Sequence, residues 1–148
     1  MAEKKKNNEK VFDLAVINPS IVHGPTLGAG DTLGTSELAI ANLFGGKMEK
    51  ISQFYCGHCD VRDVALAHVR AAFLPEAAGH RHIIVSEAKW FSLKRAADIL
   101  AKEFGPKGYK VTTDVEPKDD PKNSSDNSRM VKVLGITPIG ILCLLFKF

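Results

Sequence analysis

The stretch F-D-L-A-V-I-N-P-S-I-V-H-G-P (Phe12–Pro25) decides the fold. Residues 11–18 run almost continuously apolar through Val11, Phe12, Leu14, Ala15, Val16 and Ile17. An apolar run of this length, without alternation, predicts a strand buried on both faces of a parallel sheet. Pro19 has no amide hydrogen to donate, so the ladder is expected to end there. From Ser20 to Gly34 the chain reads as a loop, with Gly24-Pro25 and further glycines.

Outward from this strand, helices and strands alternate, which predicts α/β architecture. Thr35 or Ser36 is expected to cap a short helix carrying Leu38, Ile40, Leu43 and Phe44, stopped by Gly45-Gly46. Residues 51–56 read as a short strand. The segment D-V-R-D-V-A-L-A-H (Asp60–His68) opens an amphipathic helix capped by Asp60. Val61, Val64, Ala65, His68, Val69, Ala72 and Phe73 are expected on its buried face. His82–Ser86 reads as another strand. Ser92 caps a helix whose Leu93, Ala96, Ala97, Leu100 and Phe104 share one face, ended by Gly105-Pro106. Residues 114–128 are polar and loop-like, and a short helix follows from about Ser128 to Leu134, closed by Gly135.

Composition is that of an ordinary globular domain, 45% apolar and 25% charged. The net charge is only +3, and four of the lysines crowd the first ten residues as Lys4, Lys5, Lys6 and Lys10. Without interleaved aromatics these read as a solvated helix end or tail, so no nucleic-acid partner is expected. Three cysteines and a charged N-terminus with no apolar stretch behind it predict a reducing, cytoplasmic setting. The apolar stretch at the other end, I-T-P-I-G-I-L-C-L-L-F-K-F, is shorter than the ~20 residues a spanning helix needs, so no membrane is expected.

Several motifs imitate known sites. Gly28, Gly30 and Gly34 mimic a dinucleotide fingerprint, but they stand well past the end of the strand that should deliver them, so a loop is the better reading. Cys56-Gly57-His58-Cys59 has the spacing of a thiol–disulfide site, and a helix start just behind it would favour a thiolate at Cys56. Asp60 opposes that, and no Trp precedes Cys56. Zinc ligation by Cys56, His58 and Cys59 would crowd the ligands and lacks an obvious fourth, so no metal is expected. His68 reads as a hydrogen-bonded core histidine. His80 and His82 read as surface residues at a strand entry. Asp60 and Asp63 are explained by capping and helix polarity.

The residues resemble the C-terminal half of an extended short-chain dehydrogenase/reductase, near the dihydroflavonol, cinnamoyl-CoA and aldehyde/ketone reductases. The resemblance rests on Phe12–Pro25 and on D-V-R-D-V-A-L-A-H-V. G-T-S-E-L (Gly34–Leu38), S-L-K-R-A-A-D-I-L (Ser92–Leu100) and D-N-S-R-M-V-K-V-L-G (Asp126–Gly135) follow in the family's order. It implies a partial Rossmann-type parallel sheet with a small α+β substrate-binding lobe, lacking the N-terminal dinucleotide-binding half. Residues 11–135 would form this portion, between a basic tail at 1–10 and an apolar, divergent tail at 136–148.

The resemblance also implies NADP as cofactor and a small aldehyde or ketone as substrate. Pro19, Ser20, Ile21 and Val22 would meet the nicotinamide end, Ser36 would lie near cofactor phosphate, and Thr26, Leu27 and Tyr55 would border the substrate. The family's G-x-x-G-x-x-G, its catalytic Ser and its Tyr-x-x-x-Lys are missing: Tyr55 and Tyr109 are followed four residues on by Cys59 and Thr113. The expectation is a portion that is inactive by itself. The alternatives are a thioredoxin-like module built on Cys56 and Cys59, or a binding module that self-associates or pairs with a full-length reductase.

Overall fold

A computed structural model describes residues 12–25, 33–45, 47–52, 55–115 and 124–140. The decisive stretch forms two consecutive strands, β1 (Val16–Pro19) and β2 (Ile21–His23). They are one extended segment that changes partner at Ser20. β1 pairs in parallel with β5 (Arg81–Ile84), and β2 in parallel with β4 (His58–Asp60). At the changeover Ser20 N donates to Ile84 O at 3.3 Å, and Ile21 N donates to Gly57 O at 3.2 Å. Pro19 ends β1 as expected, but the segment continues because Ser20 and Ile21 supply donors again.

The expectation of a strand buried on both faces is corrected. Val16, Asn18 and Pro19 are exposed and Ile17 is half-buried. Among the described residues β1 has β5 on one side only, so its second edge stays unpaired and one face uncovered.

A parallel layer and a smaller lobe share the chain, as the resemblance implies. The parallel layer packs on α2 (Val61–Phe73) and α4 (Ser128–Lys132). Its core holds Cys59, Ala67, Ala77, Ile84, Met130, Leu134 and Ile136, with Val22 and Ile17 against it. The lobe combines α1 (Thr35–Ala41), α3 (Leu93–Phe104) and an antiparallel pair, β3 (Tyr55–Cys56) with β6 (Phe91–Ser92). Its core holds Ile40, Leu43, Ile51, Ala96, Ala97 and Leu100.

α3 follows its pattern closely. Ser92 Oγ accepts from Arg95 N at 3.2 Å, the buried residues are Ala96, Ala97 and Leu100, and Gly105 ends the helix. α2 starts where Asp60 predicts, but its buried face is a different one. Asp63 and Ala67 are buried with Val64 and Ala71 beside them, whereas Val61, Leu66, Val69 and Phe73 stand exposed, Phe73 at 82%. His68 is exposed too, bonded only to Val64 O of its own helix at 2.8 Å among the contacts described. Apolar residues stand on several sides of this helix between Arg62, Asp63, His68 and Arg70, so periodicity alone does not choose its inner face. Polar contacts fix the choice: Asp63 Oδ2 accepts from Ile139 N at 2.8 Å, and Arg70 Nη1 donates to Leu134 O and Gly135 O.

Those contacts draw residues 136–140 onto the body of the fold, Ile136 being 2% exposed. Gly135 makes the turn at φ 63°. His82, expected at the surface, is fully buried, with Nε2 3.2 Å from Ala77 O. It alternates with exposed Arg81 and Ile83 along β5, so strand period places it inward. The lysine-rich residues 1–10 and the apolar segment 141–148 lie outside the described residues. Among the described residues no helix is long and apolar enough to cross a membrane.

Candidate functional site

The changeover at Ser20 lies where the chain leaves β1 and meets β4, at the carboxyl ends of parallel strands. Open α/β sheets bind ligands at such edges. Three segments converge there. Ser20 Oγ donates to Gly57 O at 2.7 Å, and Ser86 N donates to His58 O at 2.7 Å. Gly57 is required by this approach, because a Cβ there would lie 2.7 Å from Val85 Cγ1 and 3.0 Å from Ser20 Oγ.

Beside this junction is an apolar cavity of about 220 Å³ between the layer and the lobe. Ile21, Ser36, Ile40 and Leu93 line it, together with His23, Cys56 and His58. The structure therefore brings together two of the expected cofactor residues, Ile21 and Ser36. The others are placed apart from it. Val22 packs into the core of the parallel layer, Ser20 is committed to Gly57, and Pro19 is exposed at the end of β1. Tyr55 is half-buried on β3, opposite Ser92. Thr26 and Leu27 lie outside the described residues.

The expected cap at Thr35 or Ser36 is replaced by Gly34, whose extended backbone precedes α1 with no side-chain hydrogen bond. Ser36 is thus left to the cavity. Glu37 stands in the first turn of the same helix. A carboxylate there opposes a phosphate, and no Lys or Arg among the described residues lines the cavity. The described lining suits a neutral ring and supplies no cation for a pyrophosphate.

Three buried side chains form a chain along one wall: Cys56 and His58 of the Cys-Gly-His-Cys motif, and His23, which no motif singled out. His23 Nε2 lies 2.8 Å from His58 Nδ1, and His58 Nε2 lies 3.3 Å from Cys56 Sγ. The two imidazole planes lie 15° from parallel with their centroids 5.0 Å apart, so the rings meet edge to edge through this contact. Burial lowers the His23 pKa, partly opposed by the Glu37 carboxylate. Burial also pushes the Cys56 thiol up to about 11. Cys59 is likewise raised to about 11, by burial first. Its Sγ donates to Ile21 O at 3.7 Å on the side of the parallel core.

This geometry does not support the thiol–disulfide motif. α2 begins at Val61, with β4 standing between it and Cys56, so no helix end lowers the Cys56 pKa. Both described cysteines are free and buried, and no metal-binding group of His, Cys, Asp or Glu occurs among the described residues.

Asp60 caps α2 by accepting from Arg62 N at 2.8 Å, and also takes the Arg62 guanidinium, with Nε at 2.7 Å. Burial pushes its carboxyl up, but the hydrogen bonds and charge of Arg62 outweigh this and hold it below the ordinary aspartate range. Asp63, which burial pushes up, stays above that range. Both carboxylates are structural and neither lines the cavity.

A parallel layer ending at this junction, a small lobe across the cavity and the ordered motifs define the C-terminal portion of an extended short-chain dehydrogenase/reductase. The chain belongs to that family. No protein-family model matches it. It is 38% identical over 105 residues to the NADPH-dependent methylglyoxal reductase Gre2 of Saccharomyces cerevisiae, covering 68% of this chain and 30% of that protein. It is 34% identical over 140 residues to the ketoreductase azaE of Aspergillus niger, covering 89% of this chain and 41% of that one. Its fold matches the crystal structure of yeast methylglyoxal/isovaleraldehyde reductase Gre2 complexed with NADPH. The TM-score is 0.76 at 27% identity, over 92% of this chain and 42% of that one. The chain thus spans less than half the length of these relatives.

Proposed function

We propose that this chain is the substrate-side portion of an NADPH-dependent reductase of small aldehydes or ketones, and that the 148 residues alone do not turn over. One observation carries the reading: the chain matches Gre2 in fold over 92% of its own length yet has no Tyr-x-x-x-Lys. Reduction of a carbonyl needs a proton donor beside the oxygen. Tyr55 is the described tyrosine closest in sequence to the cavity residue Cys56, and the residue four positions on is the buried thiol Cys59, which supplies no cation. In this reading Ile21 and Ser36 border the nicotinamide ring, Pro19, Ser20 and Val22 fix the strand end that carries Ile21, and Thr26, Leu27 and Tyr55 border the substrate.

Calorimetric titration of the purified chain with NADPH tests the cofactor half of the proposal. With only a ring-end site, dissociation constants weaker than about 1 mM are expected, equivalent to roughly 4 kcal/mol of binding. Micromolar binding would overturn it.

A second reading draws on the exposed apolar surface. Val61, Leu66, Val69 and Phe73 of α2 are uncovered, and β1 has an open edge. Leu14, Ala72 and Phe73 line a groove of about 420 Å³ between them. An open edge beside an apolar groove favours docking on a second copy or on a full-length reductase. A monomer by light scattering, alone and mixed with such a reductase, would count against it.

A further inference from the structure

The proposed reduction assigns no role to Cys56, His58 and His23, yet they meet in the order of a nucleophile, a base and a group that orients the base. The placement follows from strand geometry. Cys56 and His58 flank Gly57, two positions apart, so their side chains leave on the same side. The parallel register of β2 and β4 sets His23 opposite Asp60, which again brings His23 onto the His58 side. One tautomer satisfies both contacts: the Cys56 thiol donates to His58 Nε2, and His58 Nδ1–H donates to His23 Nε2.

All three side chains are buried, and all three line the same partly open cavity. Ile21, Ala39, Ile40 and Leu93 make most of the remaining wall apolar, with the neutral hydroxyl residues Thr35 and Ser36, and no charged side chain among the described residues lines it. Among the described residues, the titratable groups at the relay are Cys56, His23 and His58 themselves, with Glu37 of α1 acting on His23 and Asp60 paired opposite His23 across the strands. Burial raises the Cys56 thiol pKa and lowers that of the His23 imidazole, so both ends of the relay rest neutral. A neutral apolar cavity of this size selects a small uncharged molecule.

We propose that Cys56, His58 and His23 form a nucleophilic thiol site that takes small, neutral α,β-unsaturated aldehydes or ketones as covalent adducts. Cys56 Sγ forms a bond to the β-carbon as its proton passes to His58 Nε2. The C=C π pair moves to give the enolate, and the proton on His58 is returned to the α-carbon. The sum is S–H addition across the double bond, with no oxidant or reductant. His23 accepts from His58 Nδ1–H while the imidazole is cationic. The site does not depend on NADPH or on the reductase reading.

The test treats the full chain at neutral pH with methyl vinyl ketone and maps adducts on Cys56, Cys59 and Cys143 by peptide mass spectrometry. Cys59, fully buried against Ile21 O, is the internal control. Cys56 is expected to react faster than Cys59. Its rate is expected to fall about 100-fold in His58→Gln. The pH midpoint of the reaction is expected to move upward in that variant, where the thiol loses its proton without the base. A change of packing alone would not move that midpoint. Iodoacetate, which is anionic, is expected to alkylate Cys56 at least about tenfold more slowly than iodoacetamide. An unchanged Cys56 rate in His58→Gln, or a Cys56 that reacts no faster than Cys59, overturns the proposal. If His58→Gln lacks a cooperative thermal transition, His23→Gln decides on the same two criteria.

Discussion

Replacing Arg62 with Met isolates a buried carboxylate that holds the start of α2. Asp60 is fully buried, and its carboxylate is held by Arg62 through one backbone and two side-chain hydrogen bonds. The substitution keeps the backbone N–H and removes the two from the guanidinium. Breaking a fully buried ion pair costs about 3–5 kcal/mol, and a hydrogen bond to a charged group is worth about 1.5–3 kcal/mol. The Arg62 side chain is 44% exposed, so water can replace part of what is lost. That reduces the expected loss to about 2 kcal/mol, or about 7 °C in Tm for a chain of this size. The pH dependence is the sharper signature. In the parent chain the Asp60 carboxyl lies below 3.8, so its stabilisation is complete above 3.8 and is lost as pH falls through the lower, folded value. Without the guanidinium, burial is the larger influence and raises the carboxyl above 3.8. The variant then favours the protonated acid, and its deficit against the parent shrinks as pH falls from neutrality towards 3.8. Thermal melts at several pH values measure both effects. Equal stability at neutral pH, or a deficit that grows on acidification, would refute the reasoning.

Gly57→Ala should lower stability by about 1–3 kcal/mol in chemical denaturation, because the new Cβ would sit 2.7 Å from Val85 Cγ1. Leu100→Ala removes a side chain only 1% exposed from the lobe core and should cost about 2–5 kcal/mol in the same assay. Phe73→Ser, at a position 82% exposed, should leave the melting temperature within about 2 °C of the parent. It should also reduce any self-association seen in sedimentation.

What the sequence made legible were features with local causes. Ser92 and Asp60 cap α3 and α2 through their own side chains, and the apolar positions of α3 fall on one side only, so its inner face could be read directly. The order of the motifs was enough to place the chain in its family. The inner face of α2 was not legible, because apolar residues stand on several sides of that helix. Its orientation is set by Asp63 and Arg70 reaching Ile139, Leu134 and Gly135, far along the chain.

The site shows the same division. Ile21 and Ser36, which the resemblance assigned to the nicotinamide end and to phosphate, line one cavity, while Val22 turns into the core and Ser20 bonds Gly57. The relay was hidden because His23 and His58 stand 35 positions apart and meet only through the parallel register of β2 and β4. The one available signal was the Cys56-Gly57-His58 alternation at a strand end. It was overshadowed by the Cys59 that completes a more familiar motif.

The central claim is that a folded portion of a reductase lacks turnover by itself. The most direct measurement follows NADPH absorbance in the presence of the purified chain and methylglyoxal, on material that shows a cooperative thermal transition. NADPH oxidation no faster than without protein is expected. Oxidation that rises in proportion to chain concentration would contradict it.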